Sequence, residues 1–487
     1  MLRLIFVFSI VLLLSVTPVW GHKNSVSKTD AVLKAGVSCI NITPQKLPVI
    51  VNGGFFPQYV KTVQDPLYAR CLMLQNDKEQ IVFVVVDSCF IPLAVADEMK
   101  RLAHEKTGIA TNRIVISATH CHSAPSLERC HASDPDKDYR AFLPDKIAEA
   151  IVVAQQNLVP AKIGWAVGND PNNVYCRRFL MKKGTATTNP FSGKKEDRAM
   201  MNPGVNNPNK IARTGPVDTA VSVLSVVSKE NKPIALFANY STHYAGVRGG
   251  VLSGDYFGVF AEQVKQKIAE KIGNDKLFDK ASDQFVAIMS NGTSGDANCI
   301  DFLNPNRKFD YQSVGRETAE AAITVWSNIE YFDYVPLAMT EKRITLSNRL
   351  PTPEEIQAAK EHLATLPEGK LKTGADIYAQ NTTLMVDYPK TSEIPIQAIQ
   401  IGELGVTALP GEIYGITGLE IKARSPFQPT FNIGLANGYF GYIPPPEQHL
   451  LGGYNTWRTV GNCLEVDAEP KIKNTVVELL QSLATKP

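Results

Sequence analysis

The absences in this chain narrow its class first. Its formal charge is only +2, from 50 Lys+Arg against 48 Asp+Glu, so no global field draws it to nucleic acid or an anionic membrane. It has no CxxC pair, which removes the zinc-ribbon class of structural metal site. No internal repeat or low-complexity tract is present, which removes solenoids and long compositional tails. Cysteine is scattered, at positions 39, 71, 89, 121, 130, 176, 299 and 463, with no framework spacing. At 487 residues and 44% apolar content the chain can build a large core, so disulfides are optional even in an exported protein. That length fits one large lobed domain or two domains. Partner choice must then come from a local site, which makes a small molecule the expected ligand. None of these features sets an oligomeric state.

Long apolar runs are also scarce, and the one present is N-terminal. Arg3 supplies a short positive region, Leu4 to Leu14 is apolar except for Ser9, and Pro18 with Val19-Trp20-Gly21 follows. This pattern reads as a signal peptide over 1–21, with a mature domain over 22–487 exported to a periplasm or secreted. The run is short of the roughly 20 apolar residues that span a bilayer, and no later run is long enough, so no membrane span is expected after cleavage.

From about Ala35 the chain alternates strand and helix patterns. Ile81 to Val86 is a continuous β-branched and aromatic run. Leu93, Ala96, Met99 and Leu102 recur at helical spacing up to Gly108, and Arg113 to Ala118 is the next strand. This is a βαβ unit. Strands are predicted at 219–228 and 233–239, joined by the polar turn Lys229-Glu230-Asn231-Lys232, and at 284–290, 341–347 and 394–409. Helices are predicted at 145–157, 256–272, 312–328, 353–365 and 469–483. The expected class is α/β, with mixed, largely parallel sheets flanked by helices. Residues 182–216 show no apolar period and carry seven Lys/Arg against two acidic residues. This segment is expected to lack secondary structure, as a solvated loop or as a lid over an anionic or polar substrate.

The chemistry-bearing residues sit at strand ends. The strand at 113–118 runs into Thr119-His120-Cys121-His122-Ser123, and side chains at i and i+2 on a strand share a face. Imidazole suits zinc, so the pair is a start for a metal site, although hydrogen-bonded structural histidines read the same way. His243 follows the strand Ile234 to Ala238, and Glu412 follows Leu404 to Leu409 through Pro410-Gly411. With only eight histidines in the chain, three of them directly after strands fit a His/His/Glu catalytic site.

Four ordered blocks resemble the neutral ceramidases. Ile116 to Pro125 is similar to their ATHTHSxP motif, and Phe237 to His243 with Ser253-Gly254-Asp255-Tyr256 resembles their second histidine block. Ala408-Leu409-Pro410-Gly411-Glu412 resembles their PGE block, and Asn437 to Tyr442 with Tyr454 resembles their C-terminal tyrosine motif. The resemblance implies Zn2+ held by His120, His243, Glu412 and Tyr442. It places protonated His122, Arg177 and Tyr454 around the reacting carbonyl. It implies hydrolysis of an amide by metal-activated water, with ceramide as the nearest precedent.

Two departures bear on the substrate. The family's GDVSPN serine is matched by Asn298 in Gly295-Asp296-Ala297-Asn298-Cys299-Ile300, and amide nitrogen is no oxygen nucleophile. Cys299 is expected to be a buried thiol rather than a substitute nucleophile. The family's immunoglobulin-like C-terminal domain is not expected here. The leading reading is a zinc amidase acting on an N-acyl lipid. The alternatives are an exported zinc enzyme acting on an anionic or acylated glycan, and a catalytically inactive binding protein of the same fold.

Overall fold

Strands covered on both faces must hide every side chain, and the uninterrupted Val, Ile, Leu and Phe runs do so. Gln80–Val86 is buried at every position but its first, and Pro233–Tyr240 is buried throughout. The computed structural model describes residues 32–247, 249–273, 285–367 and 370–485. The signal peptide expected over 1–21 lies outside the described residues.

Eight strands form the main sheet, in the order Val286–Asn291, Pro233–Tyr240, Ala220–Ser228, Val159–Asn169, Lys34–Asn41, Tyr68–Gln75, Gln80–Val86, Ile114–Ala118. The mixed α/β class with flanking helices is observed. The parallel share is smaller than expected: only the two outermost pairs are parallel, and the five inner pairs are antiparallel. Connection length explains two of the five, joined through 76–79 and 229–232, since a parallel neighbour needs a crossover of a dozen or more residues and a short turn can only reverse the chain. The helices Leu93–Thr107 and Asp255–Ile272 make the two crossovers. The inner reversals include the expected hairpin at 229–232 and a turn held by Asn76. The Asn76 Oδ1 accepts from the N–H groups of Lys78 and Glu79 at 2.9 and 2.8 Å.

A second sheet lies against the first, in the order Leu337–Ser347, Thr391–Ile401, Leu404–Ala408, Thr430–Ile433. The single strand expected over 394–409 is two strands. Gly402, at φ +61°, makes the reversal, and a Cβ there would lie 2.6 Å from the Trp165 ring. Leu224, Phe237, Val406 and Phe431 belong to the apolar layer between the sheets, and Ala468–Ala484 covers the far face of the second sheet. The helix expected to start at 145 starts at Lys137 instead. Asp136 caps it by accepting from the Tyr139 N–H at 3.0 Å, and Pro144 sits inside it at the cost of one helical hydrogen bond.

The 182–216 segment is not free of structure. Ala199–Met201 and Lys210–Arg213 flank Arg178–Met181 in a small antiparallel sheet. Strands this short carry too few residues to show an alternation in sequence. Asp197 then pins the segment down, accepting from the Gly453 N–H and the Trp457 indole N–H, both at 2.8 Å.

The main sheet curls until its two edge strands meet. The Asn291 Nδ2 donates to the Thr119 carbonyl at 3.2 Å, and residues 434–437 bridge the seam. The Gly434 N–H donates to the Asn291 carbonyl, the Ala118 N–H to Leu435, and the Asn437 N–H to Ile116. The Asn437 side chain adds a bond to each sheet, accepting from the Ile116 N–H at 3.0 Å and donating to the Gln397 Oε1 at 2.7 Å. It does so at φ +60°, a region asparagine tolerates. Replacing Asn437 with Ala is expected to lower unfolding free energy by about 2–4 kcal/mol, since two buried polar groups lose partners. Urea denaturation followed by circular dichroism checks this. A loss under about 1 kcal/mol would show that the seam is held elsewhere.

Candidate active site

The closed seam gathers the carboxyl ends of several strands at one place. Cys89 follows Gln80–Val86, His120 follows Ile114–Ala118, His243 follows Pro233–Tyr240, Ser294 follows Val286–Asn291, and Glu412 follows Leu404–Ala408. His120 and His122 do converge, but strand alternation is not the reason. The strand ends at Ala118, and His120 stands at φ +72° in the left-handed region, which swings its ring inward.

The inner atoms form a cage of acceptors. The His120 Nδ1 donates to the Cys89 carbonyl at 2.7 Å, and the His243 Nδ1 faces the Ser294 carbonyl at 3.3 Å. Those carbonyls fix the tautomers, so each Nε2 carries a bare lone pair. The two Nε2 atoms nevertheless lie 2.9 Å apart, and the His122 Nε2 is 3.2 Å from that of His120. The Glu412 Oε2 lies 3.6 and 3.8 Å from the His120 and His243 Nε2 atoms and, though buried, has no hydrogen-bond partner. The His120 and His243 Nε2 atoms and the Glu412 Oε2, three acceptors facing each other without a proton among them, suit a cation. Donors about 2.0 Å from a shared tetrahedral zinc lie about 3.3 Å apart, close to these separations. His120, His243 and Glu412 therefore fit a metal ion. Cys89, whose Sγ is 4.0 Å from the His120 Nδ1, fits less well, because burial pushes its thiol well above 9 and keeps it protonated.

The other expected residues are arranged around this cage. Tyr442 is the register partner of Glu412 in a short parallel pair, and its hydroxyl accepts from the Arg177 Nη2 at 3.1 Å. The same nitrogen donates to the Gly295 carbonyl at 2.9 Å and lies 3.7 Å from the Glu412 Oε2. Burial alone would push the Glu412 carboxyl up, but His120, Arg177 and Tyr439 together hold it below the usual range. Tyr454 meets Tyr442 edge-on at 5.8 Å, and both line a cavity of about 390 Å3. Asn298 is not brought to the cage by any hydrogen bond. Its Oδ1 accepts from the Ile300 N–H at 3.0 Å and its Nδ2 donates to the Asn202 Oδ1 at 3.3 Å.

Residues 34–303 match the family model described as neutral/alkaline non-lysosomal ceramidase, N-terminal. The chain belongs to that family. The family resemblance thus holds; the matched span includes His120, His122, Arg177, His243 and Asn298, while the blocks holding Glu412, Tyr442 and Tyr454 lie beyond it. The fold is also similar to that of the neutral ceramidase from Pseudomonas aeruginosa, at TM-score 0.67 and 17% identity over 93% of this chain and 75% of that one. A second solved structure, a ceramidase complexed with C2, matches at TM-score 0.66 and 16% identity, over 93% and 76% of the two chains. No curated protein matches the chain.

Several residues of this ceramidase-family site went unassigned in the sequence. Tyr439 donates its hydroxyl to the Glu412 Oε1 at 2.9 Å, leaving only Oε2 for the cage. It lies inside the Asn437 to Tyr442 block, which was the available signal. Tyr244 stacks on His122 at 3.7 Å, and Gly53 packs closely against the same ring. A Cβ on Gly53, which stands at φ +99°, would lie 2.1 Å from the His122 Nδ1. Nothing in the sequence around Gly53 marks that contact.

Burial also sets a pH dependence. It pushes His131 and His449 down to about 4, and holds His122 and His243 well below 6.5. The unfolded chain takes up these protons near 6.5, so between about 6.5 and about 4 it binds more protons than the folded one. Stability contributed by neutral imidazoles is therefore lost as pH falls through that window. Asp296, raised to about 6 by burial, and Asp87 and Asp255, also raised by burial, work in the opposite direction, three groups against four. In metal-free protein the urea midpoint is expected to drop between about pH 7 and about pH 4.5. A flat or rising midpoint would contradict the buried, neutral assignment.

Proposed function

We propose that the chain is a zinc-dependent amidohydrolase that cleaves the N-acyl bond of a ceramide-like lipid. The observation that carries this is the set of facing acceptors on His120, His243 and Glu412, with the orphaned Glu412 Oε2 among them. Family membership supports the same reading. Zinc held there, with Tyr442 as a further ligand, supplies Lewis acidity and makes water nucleophilic near neutral pH.

The chain's own groups carry the remaining tasks. His122 starts neutral, because burial, His120 and Arg177 all disfavour its charge, so it enters as a proton acceptor and donates only after taking a proton. Arg177 is fully buried, and its positive charge is aimed at the space between Glu412 and Tyr442. With the Tyr454 hydroxyl it is suited to stabilise negative charge growing on the carbonyl oxygen.

The adjoining cavity favours a lipid over a glycan. Its walls include Phe90, Leu93, Tyr378, Tyr388 and Phe440, and none of the lysines of the 182–216 segment lines it. Arg178, which a polar sugar cleft would use, is spent inside the protein on Gln448 and Asn455. The Arg3 and Leu4 to Leu14 pattern supports export as the setting.

The test is hydrolysis of fluorescent ceramide by the purified protein, with metal content measured alongside. Release of fatty acid is expected, with loss on chelation and recovery with zinc. Glu412→Gln is expected to lose bound zinc. Tyr454→Phe is expected to keep it and lose about 100-fold in kcat, the worth of one oxyanion donor. Cleavage indifferent to chelation would remove the metal from the mechanism. No cleavage of any N-acyl compound by zinc-loaded protein would remove the reaction class.

A further inference from the structure

The cavity beside the cage contains one residue that carries two separate costs. His131 stands at φ +53° in the tight turn Cys130–Ser133, a conformation that non-glycine residues rarely adopt. Its Nδ1 is buried with no hydrogen-bond partner, which leaves a polar group desolvated without compensation. The ring is nonetheless held firmly. It stacks on Phe55 at 4.4 Å, meets Tyr378 edge-on at 6.2 Å, and its turn is tied down by the Ala132 N–H donating to the Phe55 carbonyl at 3.2 Å. Backbone strain and an orphaned donor–acceptor atom at one rigid position are the pattern of a group kept ready for a ligand.

The cavity also limits what that ligand can be. Among the described residues lining it, the charged ones are Glu128 and Arg129, and both are already paired. Glu128 meets Arg140 at 2.8 Å, and Arg129 meets Asp134 at 2.6 Å. The remaining walls are aromatic or aliphatic apart from His131, Cys130, Thr459 and Asn462. A charged ligand would find no counter-ion there, whereas an apolar body with a hydroxyl or amide group would find two unpartnered polar atoms, the His131 Nδ1 and the Tyr378 hydroxyl, of which only the first sits on a strained backbone.

We infer that His131 is a specificity-determining residue whose Nδ1 hydrogen-bonds a hydroxyl of an uncharged, amphiphilic N-acyl substrate bound in this cavity. The inference deepens the amidohydrolase reading and takes its N-acyl class from it, but recognition and turnover can fail separately.

The experiment measures binding as well as cleavage. N-hexanoylsphingosine and its hydroxyl-free counterpart, N-hexanoyloctadecylamine, are titrated into the purified protein with and without chelator, read by tryptophan fluorescence. His131→Phe keeps the stacking ring and removes the nitrogens. His131→Asn tolerates the left-handed backbone and restores a polar atom. Circular dichroism melts confirm that both variants fold. His131→Phe is expected to bind the hydroxylated amide about tenfold more weakly and the hydroxyl-free amide unchanged, with partial recovery in His131→Asn. Equal losses for both ligands, no loss for either, or a native protein that binds neither would overturn the assignment. Discrimination without hydrolysis would keep His131 and sink the amidohydrolase reading. Hydrolysis without discrimination would do the reverse.

Discussion

Bare lone pairs held face to face are what the rest of this molecule is organised around. Two imidazole nitrogens 2.9 Å apart, each with its proton committed to a backbone carbonyl on the far side, repel one another. A buried carboxylate oxygen without a donor adds to the frustration. Such a cluster is costly in the absence of positive charge, and Arg177 supplies only part of it, at 3.7 Å from the carboxylate and engaged with Gly295 and Tyr442. The fold must therefore be stable enough elsewhere to impose the arrangement. The apolar layer between two sheets and the helices over both outer faces provide that reserve.

The imposition works through the seam where the main sheet closes on itself. His120 and His243 come from opposite halves of an eight-stranded sheet, and they meet because residues 434–437 draw the edge strands together. Non-glycine residues in the left-handed region gather near this place: His120, Asp255, Leu435 and Asn437. Each does visible work. Asp255 accepts from the N–H groups of Ala245 and Gly246, both at 2.9 Å, and so fixes the turn after His243. Leu435 accepts from Ala118, two residues before His120. Strain of about 1–3 kcal/mol per residue thus falls at four positions at or beside His120 and His243, while His131, Asn202 and Asn231 carry it elsewhere.

Local pattern made some of this legible and nonlocal geometry hid the rest. The βαβ unit ending at Ala118, the hairpin at 229–232 and the strand-end placement of His120, His243 and Glu412 could be read because each depends on a few neighbouring residues. The antiparallel interior of the sheet depends on which strands pair, and a buried strand looks alike in either orientation. Gly402 hid a reversal inside one long apolar run, and Pro144 hid the first two turns of Lys137–Gln156. The pairing of His120 with His122 was foreseen for the wrong reason. A two-residue spacing on a strand and a left-handed turn give the same convergence, and only the backbone angle separates them.

The departure at Asn298 gains its meaning from the same geometry. A serine nucleophile would have to reach a carbonyl bound at the cage, whereas the Asn298 amide is committed to Ile300 and Asn202. Cys299 is no replacement, because burial pushes its thiol up to about 12 and holds it protonated at neutral pH. Asp296 in the same stretch is structural in its contacts, with its Oδ1 accepting from the Gly415 N–H at 2.8 Å and its backbone carbonyl from the Arg177 N–H. The stretch therefore supports Arg177 rather than attacking substrate. On the proposed mechanism the attacking group is water, which needs acceptors, a cation and a neutral histidine, and none of these is altered by asparagine in place of serine. Loss of the hydroxyl is then compatible with retained hydrolysis, provided that substrate placement is taken over by other groups in the adjoining cavity.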